Sequence, residues 1–265
     1  MEGALEAAAG RVRELAAGYE PPTFAHVPDP DAAIFLCAVD HSTGYAQAHS
    51  MDGGEPIAGS ELMWALGLRA HEREGGLLRA ARLRDVSGAE VGEWFGADGE
   101  TVGDPDRRAA LWRDLAAGLE RDHAGSAAVL LDTCEGRLAG EGGLLGMLAP
   151  FEAYADPLAK KSYLFAKICE RRGWLEVRDP ESWEVCADNV LMRLALRSGL
   201  VAEGPLDEVR AATRSALKRL AGAAGLSAPI LDDLLWELGR EDPDLLGAAA
   251  GELREPPRRP GSAFY

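Results

Sequence analysis

Cysteine is scarce in this chain, and what there is stands alone. Cys37, Cys134, Cys169 and Cys186 form no C-x-x-C pair, so neither a zinc-ligand set nor a disulfide framework is expected. Three of them lie in apolar stretches, the usual setting of buried reduced thiols. His26, His41, His49, His71 and His123 supply no H-E-x-x-H pattern, so no metal and no other cofactor is expected. No apolar run approaches the about 20 residues that span a bilayer, which argues against a membrane partner. The N-terminus reads as an amphipathic Ala/Leu/Glu helix and not as a signal peptide, so the cytoplasm is the expected compartment. Basic residues are the other deficit: 28 Lys and Arg against 44 Asp and Glu leave a formal charge of −16. Duplex-binding proteins gain much of their affinity by neutralising phosphates. An extended nucleic-acid partner is therefore not expected, although one phosphate needs only a local basic pocket. No internal repeat and no low-complexity linker divides the chain. Residues 1–265 read as a single domain, a monomer or small homo-oligomer.

What is present in quantity is helix former. Ala, Leu, Glu and Arg dominate, and the fold class expected is mostly α, with a few short strands near the N-terminus. Residues 4–18 read as a helix stopped by Gly18 and the Pro21–Pro22 pair. "AAIFLCAV" (32–39) is a continuous apolar run of strand length, read as a buried extended segment. Residues 46–58 read as loop. Ser60 is placed as the N-cap of the next helix, Ser87 and Glu90 as a capping box, and Pro105 in the first turn of a long helix. Further helices are expected over 157–172, 188–198, 205–222 and 228–239.

Two charged residues sit where apolar ones are the rule. In "DPLAKKSYLFAKICERRGW" (156–174), Leu158, Leu164, Phe165, Ile168 and Cys169 share one helix side, and Lys161 points into its middle. Lys160, Lys167 and Arg171 point away, toward solvent. Lys161 then either snorkels past its neighbours or holds an anion in a pocket. The second residue is Asp188, at the entrance of "NVLMRLALR". Val190, Leu191, Met192, Leu194, Ala195 and Leu196 cover most of that helix, leaving only Arg193 and Arg197 as a polar stripe, so the helix is a buried one. Asp188 reads as an N-cap, a role Asn189 could equally fill, or as a deep carboxylate kept ionised by the helix dipole.

An inward lysine and an aspartate on successive buried helices resemble the layout of helix-hairpin-helix DNA glycosylases. The closer resemblance is to a relative of that fold, the queuosine salvage proteins, which are queuosine-5'-phosphate N-glycosidases. Their pattern is a Lys-Arg-Ala-Gln-Ile helix, then about thirty residues later Phe-Ala-Asp-Tyr-Arg-x-Pro-Gln before a further helix. "KKSYLFAKI" stands at the first and "VCADNVLMRLALRSGLV" at the second, with Ala187–Asp188 on the Ala-Asp. "FEAYAD" (Phe151, Tyr154, Asp156) is similar to Phe-Pro-Ser-Tyr-Arg-Asp just upstream of the lysine helix. "AAIFLCAVDHSTGYAQ" stands where the family has an apolar strand running into Asn-Phe-x-Phe-Trp. "ILDDLLWELGRED" matches a Leu-Asp-x-x-Leu-Trp helix near the C-terminus.

The resemblance implies a single helical domain of glycosylase type that hydrolyses the bond between a base and ribose in a small nucleoside or nucleotide. Asp188 would orient water and stabilise the oxocarbenium-like centre. Lys161 would hold phosphate or sugar hydroxyls, and by text alone Lys160 fits the family lysine as well. Tyr45 would replace the stacking aromatics, with Asp40 and His41 beside it. Tyr154, Asp156, Asn189, Asp232 and Trp236 complete the implied substrate contacts. Two departures stand out: the family's Tyr-Arg is Asn189–Val190, and its aromatic cluster is reduced to "STGY" (42–45). The bond cleaved is thus a firmer expectation than the base released. The competing readings are a DNA glycosylase and a non-catalytic member of the fold. The first predicts a Gly-x-Gly hairpin, which "RRGWLEVRDPESWEV" lacks.

Overall fold

Asp29 and Pro30 start a helix where the sequence reading placed an extended segment. In a computed structural model that describes residues 2–51, 53–249, 255–257, 259 and 261–264, α2 (Pro30–Val39) follows α1 (Glu2–Ala16). Asp29 caps α2 by accepting from Ala32 N–H at 2.9 Å, and Pro30 supplies a first-turn φ. Every residue from Ala32 to Val39 is buried. A helix covered on all sides has no polar face and hence no 3.6-residue period, which is why the run imitated a buried strand.

The next residues keep to loop except for a two-stranded antiparallel hairpin, β1 (His49–Ser50) and β2 (Pro56–Ile57). Helices α3 (Gly59–Arg73), α4 (Ala80–Leu83), α5 (Gly88–Trp94) and α6 (Pro105–Asp122) follow, then α7 (Ala127–Thr133), α8 (Leu144–Leu148) and α9 (Lys160–Arg171). The last three are α10 (Asn189–Arg197), α11 (Leu206–Ala224) and α12 (Ala228–Glu241). The chain is mostly helical, as its composition indicates. The capping box of Ser87 and Glu90 forms, and Pro105 opens α6. Ser60 does not cap: α3 starts two residues earlier, at Gly59 behind Ala58, and the Ser60 hydroxyl donates instead to Asp40 Oδ1 at 2.7 Å.

The chain divides into two compact units. Residues 24–179 with 262–264 form one, and residues 2–23 with the described part of 180–261 form the other. In the first, α2 is the central element, packed by α3, α6, α7 and α9. Trp112 and Tyr154, both buried, donate to the carbonyls of Phe35 and Ile34 at 2.7 and 2.5 Å. Gly118 on α6 lets the Phe151 ring pass so closely that a Cβ there would lie 2.2 Å from it.

In the second unit α10 lies against α11 and α12, and α1 against α11. Leu191, Met192, Leu194, Ala195 and Leu196 are all buried, as the apolar circumference of this helix requires. Its polar stripe is occupied. Arg197 forks onto Asp244 with contacts of 2.7 and 2.6 Å, and Arg193 donates to Gly239 O at 2.9 Å. The unit closes on itself through Arg13, which donates to Ala223 O at 2.8 Å.

Candidate functional site

The C-terminal end of α2 gathers most of the side chains singled out in the first unit. A helix end leaves carbonyls without intrahelical partners and carries partial negative charge. α2 has no basic residue in its own last turn, so neighbouring helices supply the cations. Lys161 of α9 donates to Ala38 O at 2.5 Å, and Arg108 of α6 donates to the carbonyls of Val39, His41 and Ser42, the last two at 2.7 and 3.0 Å. Lys160 Nζ approaches Asp40 O at 3.5 Å. These contacts fix the segment 39–42, which carries Asp40 and His41.

Lys161 is fully buried, on the apolar side that its periodicity assigned. Its second partner is His41 Nδ1 at 3.1 Å. Burial, reinforced by the Lys160 charge, pulls the Lys161 pKa well below the usual lysine value. Burial likewise holds His41 far below the ordinary imidazole range, with Lys161 and Arg108 adding to it. Asp40 is tied by Ser60 and by Trp64 Nε1, which donates to Oδ2 at 3.3 Å.

Other residues implied as substrate contacts serve the fold. Asp156 accepts from the N–H groups of Leu158 and Lys160 at 3.1 and 3.2 Å, building the turn that enters α9. That turn, with Ala159 at φ 50°, starts the helix three residues later than its pattern indicated. The Tyr45 hydroxyl donates to Phe95 O at 2.8 Å, and burial raises its pKa to about 12. Lys167, expected at a solvated side, is buried: Tyr163 and Ala166 are buried too, so α9 has no broad water-facing side.

Asp188 lies in the second unit, half-buried at the N-cap of α10. Its Oδ1 accepts from Leu191 N–H at 2.9 Å. Asp232, buried on α12, accepts from Cys186 N–H at 2.7 Å and so fixes the extended residues that deliver Asp188 to the cap. The neighbouring Asn189 has a buried Oδ1 without a hydrogen-bond partner. Trp236 is half-buried under the Arg240 guanidinium, 4.3 Å from its ring.

Sequence reading missed Arg108. The signal was available: Arg108, Leu111, Trp112, Leu115 and Leu119 follow the i, i+3, i+4, i+7 pattern of one helix face, so a charge stood in an apolar stripe just as Lys161 does. It also missed His49, whose two ring nitrogens meet Asp98 at 3.1 Å and Glu100 at 3.0 Å. His49, Arg69, Arg73, Glu93 and Trp94 line a pocket of about 260 Å³ in the first unit. None of the residues implied by the family resemblance lines it. Among the described residues no three His, Cys, Asp or Glu side chains gather as a metal would need, and no helix is long and apolar enough to cross a membrane. No protein-family model matches the sequence, and no curated protein is detectably similar to it.

Proposed function

We propose that the protein hydrolyses the N-glycosidic bond of a modified, deazapurine-type nucleoside 5'-monophosphate such as queuosine-5'-phosphate, releasing the base for salvage. The observation that carries this is the setting of Asp188. A carboxylate at the N-cap of a buried helix is favoured as the anion by the helix dipole and by the backbone N–H it accepts. The Cys186 N–H to Asp232 bond limits the motion of the chain that bears it. A fixed, ionised carboxylate stabilises the oxocarbenium-like centre that develops as the base departs, and it orients the attacking water. The family pattern allows two lysines. Lys161 is buried on the carbonyl of Ala38.

The commitment of Lys161 to α2 also favours a second reading, a member of this fold without catalysis. The test is incubation with queuosine-5'-monophosphate, with queuosine and with a duplex carrying an oxidised base, following base release by chromatography. Release from the nucleotide is expected, falling about 100- to 10,000-fold in Asp188→Asn. Full activity in that variant would refute the role given to Asp188. Release from the duplex alone would identify a DNA glycosylase, and no release from any substrate would favour the non-catalytic reading.

A further inference from the structure

The pocket of about 260 Å³ in the first unit contains none of the residues given a role in the proposed function, and its lining is chemically divided. The floor is apolar. Leu66 and Ala70 of α3 and Trp94, the last residue of α5, are all buried, and the Trp94 ring is backed by that of Trp112, 6.3 Å away between centroids. The rim is charged. Arg69 and Arg73 share one side of α3 with Leu66 and Ala70, at i, i+3, i+4 and i+7, and both are exposed. Glu93 of α5 and Asp98 bring negative charge to the same rim.

The two carboxylates are not equivalent. Asp98 meets His49 Nδ1 at 3.1 Å and Glu100 meets Nε2 at 3.0 Å, so His49 ties β1 to the turn over 97–100 and closes one wall. Glu93 is not engaged in this way: among the described residues its carboxylate pairs with neither arginine nor with any other cation. Arg73 meets Glu74 at 3.0 Å, an exposed ion pair of the kind that water and salt screen and a ligand can exchange. Opposite charges that share a pocket without meeting suit a ligand that carries both signs. At about 30 Å³ per water the space equals about nine waters, just below the usual range of small-molecule sites, and it suits a ligand the size of a free amino acid.

We propose that this pocket binds a free α-amino acid with an apolar side chain. Its carboxylate lies on Arg69 and Arg73, its ammonium on Glu93, and its side chain over Leu66, Ala70 and Trp94. A guanidinium takes a carboxylate through two parallel N–H···O bonds, which fixes orientation, while burial of the side chain selects apolar ligands over small or polar ones. All of these groups belong to one compact unit, and the assignment holds whether or not the protein releases a base.

Calorimetric titration of the full chain tests this with L-phenylalanine and L-leucine and with three ligands that each lack one feature. Phenylpropionate has no ammonium, phenylethylamine has no carboxylate, and glycine has no side chain. The two complete amino acids are expected to bind, and each incomplete ligand to bind about tenfold more weakly. Glu93→Gln should weaken L-phenylalanine about tenfold and leave phenylpropionate unchanged. Arg73→Met should weaken both of these and leave phenylethylamine unchanged. Both side chains are exposed, so the variants should melt as the wild type does, and the ligand series on the wild-type chain decides the question without them. Phenylpropionate or phenylethylamine binding as tightly as L-phenylalanine overturns recognition of both charges, as does a Glu93→Gln variant that weakens all ligands equally. No heat with any of the ligands, and no movement of the Trp94 indole N–H resonance in NMR, overturns the site.

Discussion

Lys161 and Arg108 show how an ionisable side chain is retained in an apolar interior. Each is buried, and each is compensated by carbonyl oxygens at the end of α2, where the helix itself leaves acceptors unfilled. Arg108 also donates to Gly103 O at 2.7 Å, so its fork connects three chain segments. Burial lowers its pKa to about 10, and it stays charged at neutral pH. Replacing it with methionine keeps much of the volume but strands several buried carbonyls. Arg108→Met should therefore lower stability to denaturant by at least about 3 kcal/mol. A loss below about 1 kcal/mol would mean that water replaces the guanidinium. The periodicity that put Lys161 on an apolar face was readable from sequence; its partners were not, because Ala38 and His41 are more than 100 positions away.

At the scale of elements, two glycines in helix interiors separate propensity from packing. Gly118 on α6 faces the buried Phe151 ring, and an added Cβ would meet that ring at 2.2 Å. Gly118→Ala should destabilise by about 1–2 kcal/mol, since overpacking of about 1–3 kcal/mol outweighs the better helix propensity of alanine. Gly10 on α1 has nothing within 4 Å of its Cβ position, so Gly10→Ala should stabilise by up to about 1 kcal/mol. Urea melts of both variants check the pair, and a loss of stability in Gly10→Ala would contradict the open space seen there. The same contrast explains which helices were legible. α12 announces itself because one side meets the core and another does not, and α10 because Arg193 and Arg197 leave a narrow polar stripe on an apolar helix. α2 is buried all round and has no such contrast, leaving only Asp29–Pro30 as a sign of its start.

For the whole molecule, pH acts on stability through histidines of opposite sense. His49 donates to Asp98 and Glu100, and these bonds raise its pKa above the ordinary 6.5. Its contribution is complete below that value and is lost as pH rises through the raised folded pKa. His41 is the reverse. Its folded pKa is depressed, so below about 6.5 the unfolded chain binds a proton that the fold does not, and stability falls with acid. Thermal melts from pH 5 to pH 9 should show His49→Gln less stable than wild type at low pH, with the gap closing as pH rises. His41→Gln should lose less stability than wild type on acidification. Parallel curves for wild type and both variants would contradict these assignments. The structure chose Asp188 as the cap of α10; composition and periodicity determined that the chain is helical, where most helices fall, that Asp188 or Asn189 stands at the start of one of them and that Lys161 points inward. These follow from local propensity and from the repeat of a helix with one wet side, both properties of neighbours along the chain. Tertiary structure decided that the run 32–39 is a helix, that Lys167 is buried, and that Tyr154, Asp156 and Asp232 hold the backbone. It also brought Lys161, Arg108 and His41 to one helix end. Such outcomes depend on which distant groups fill a carbonyl or cover a face, and no sequence period records that.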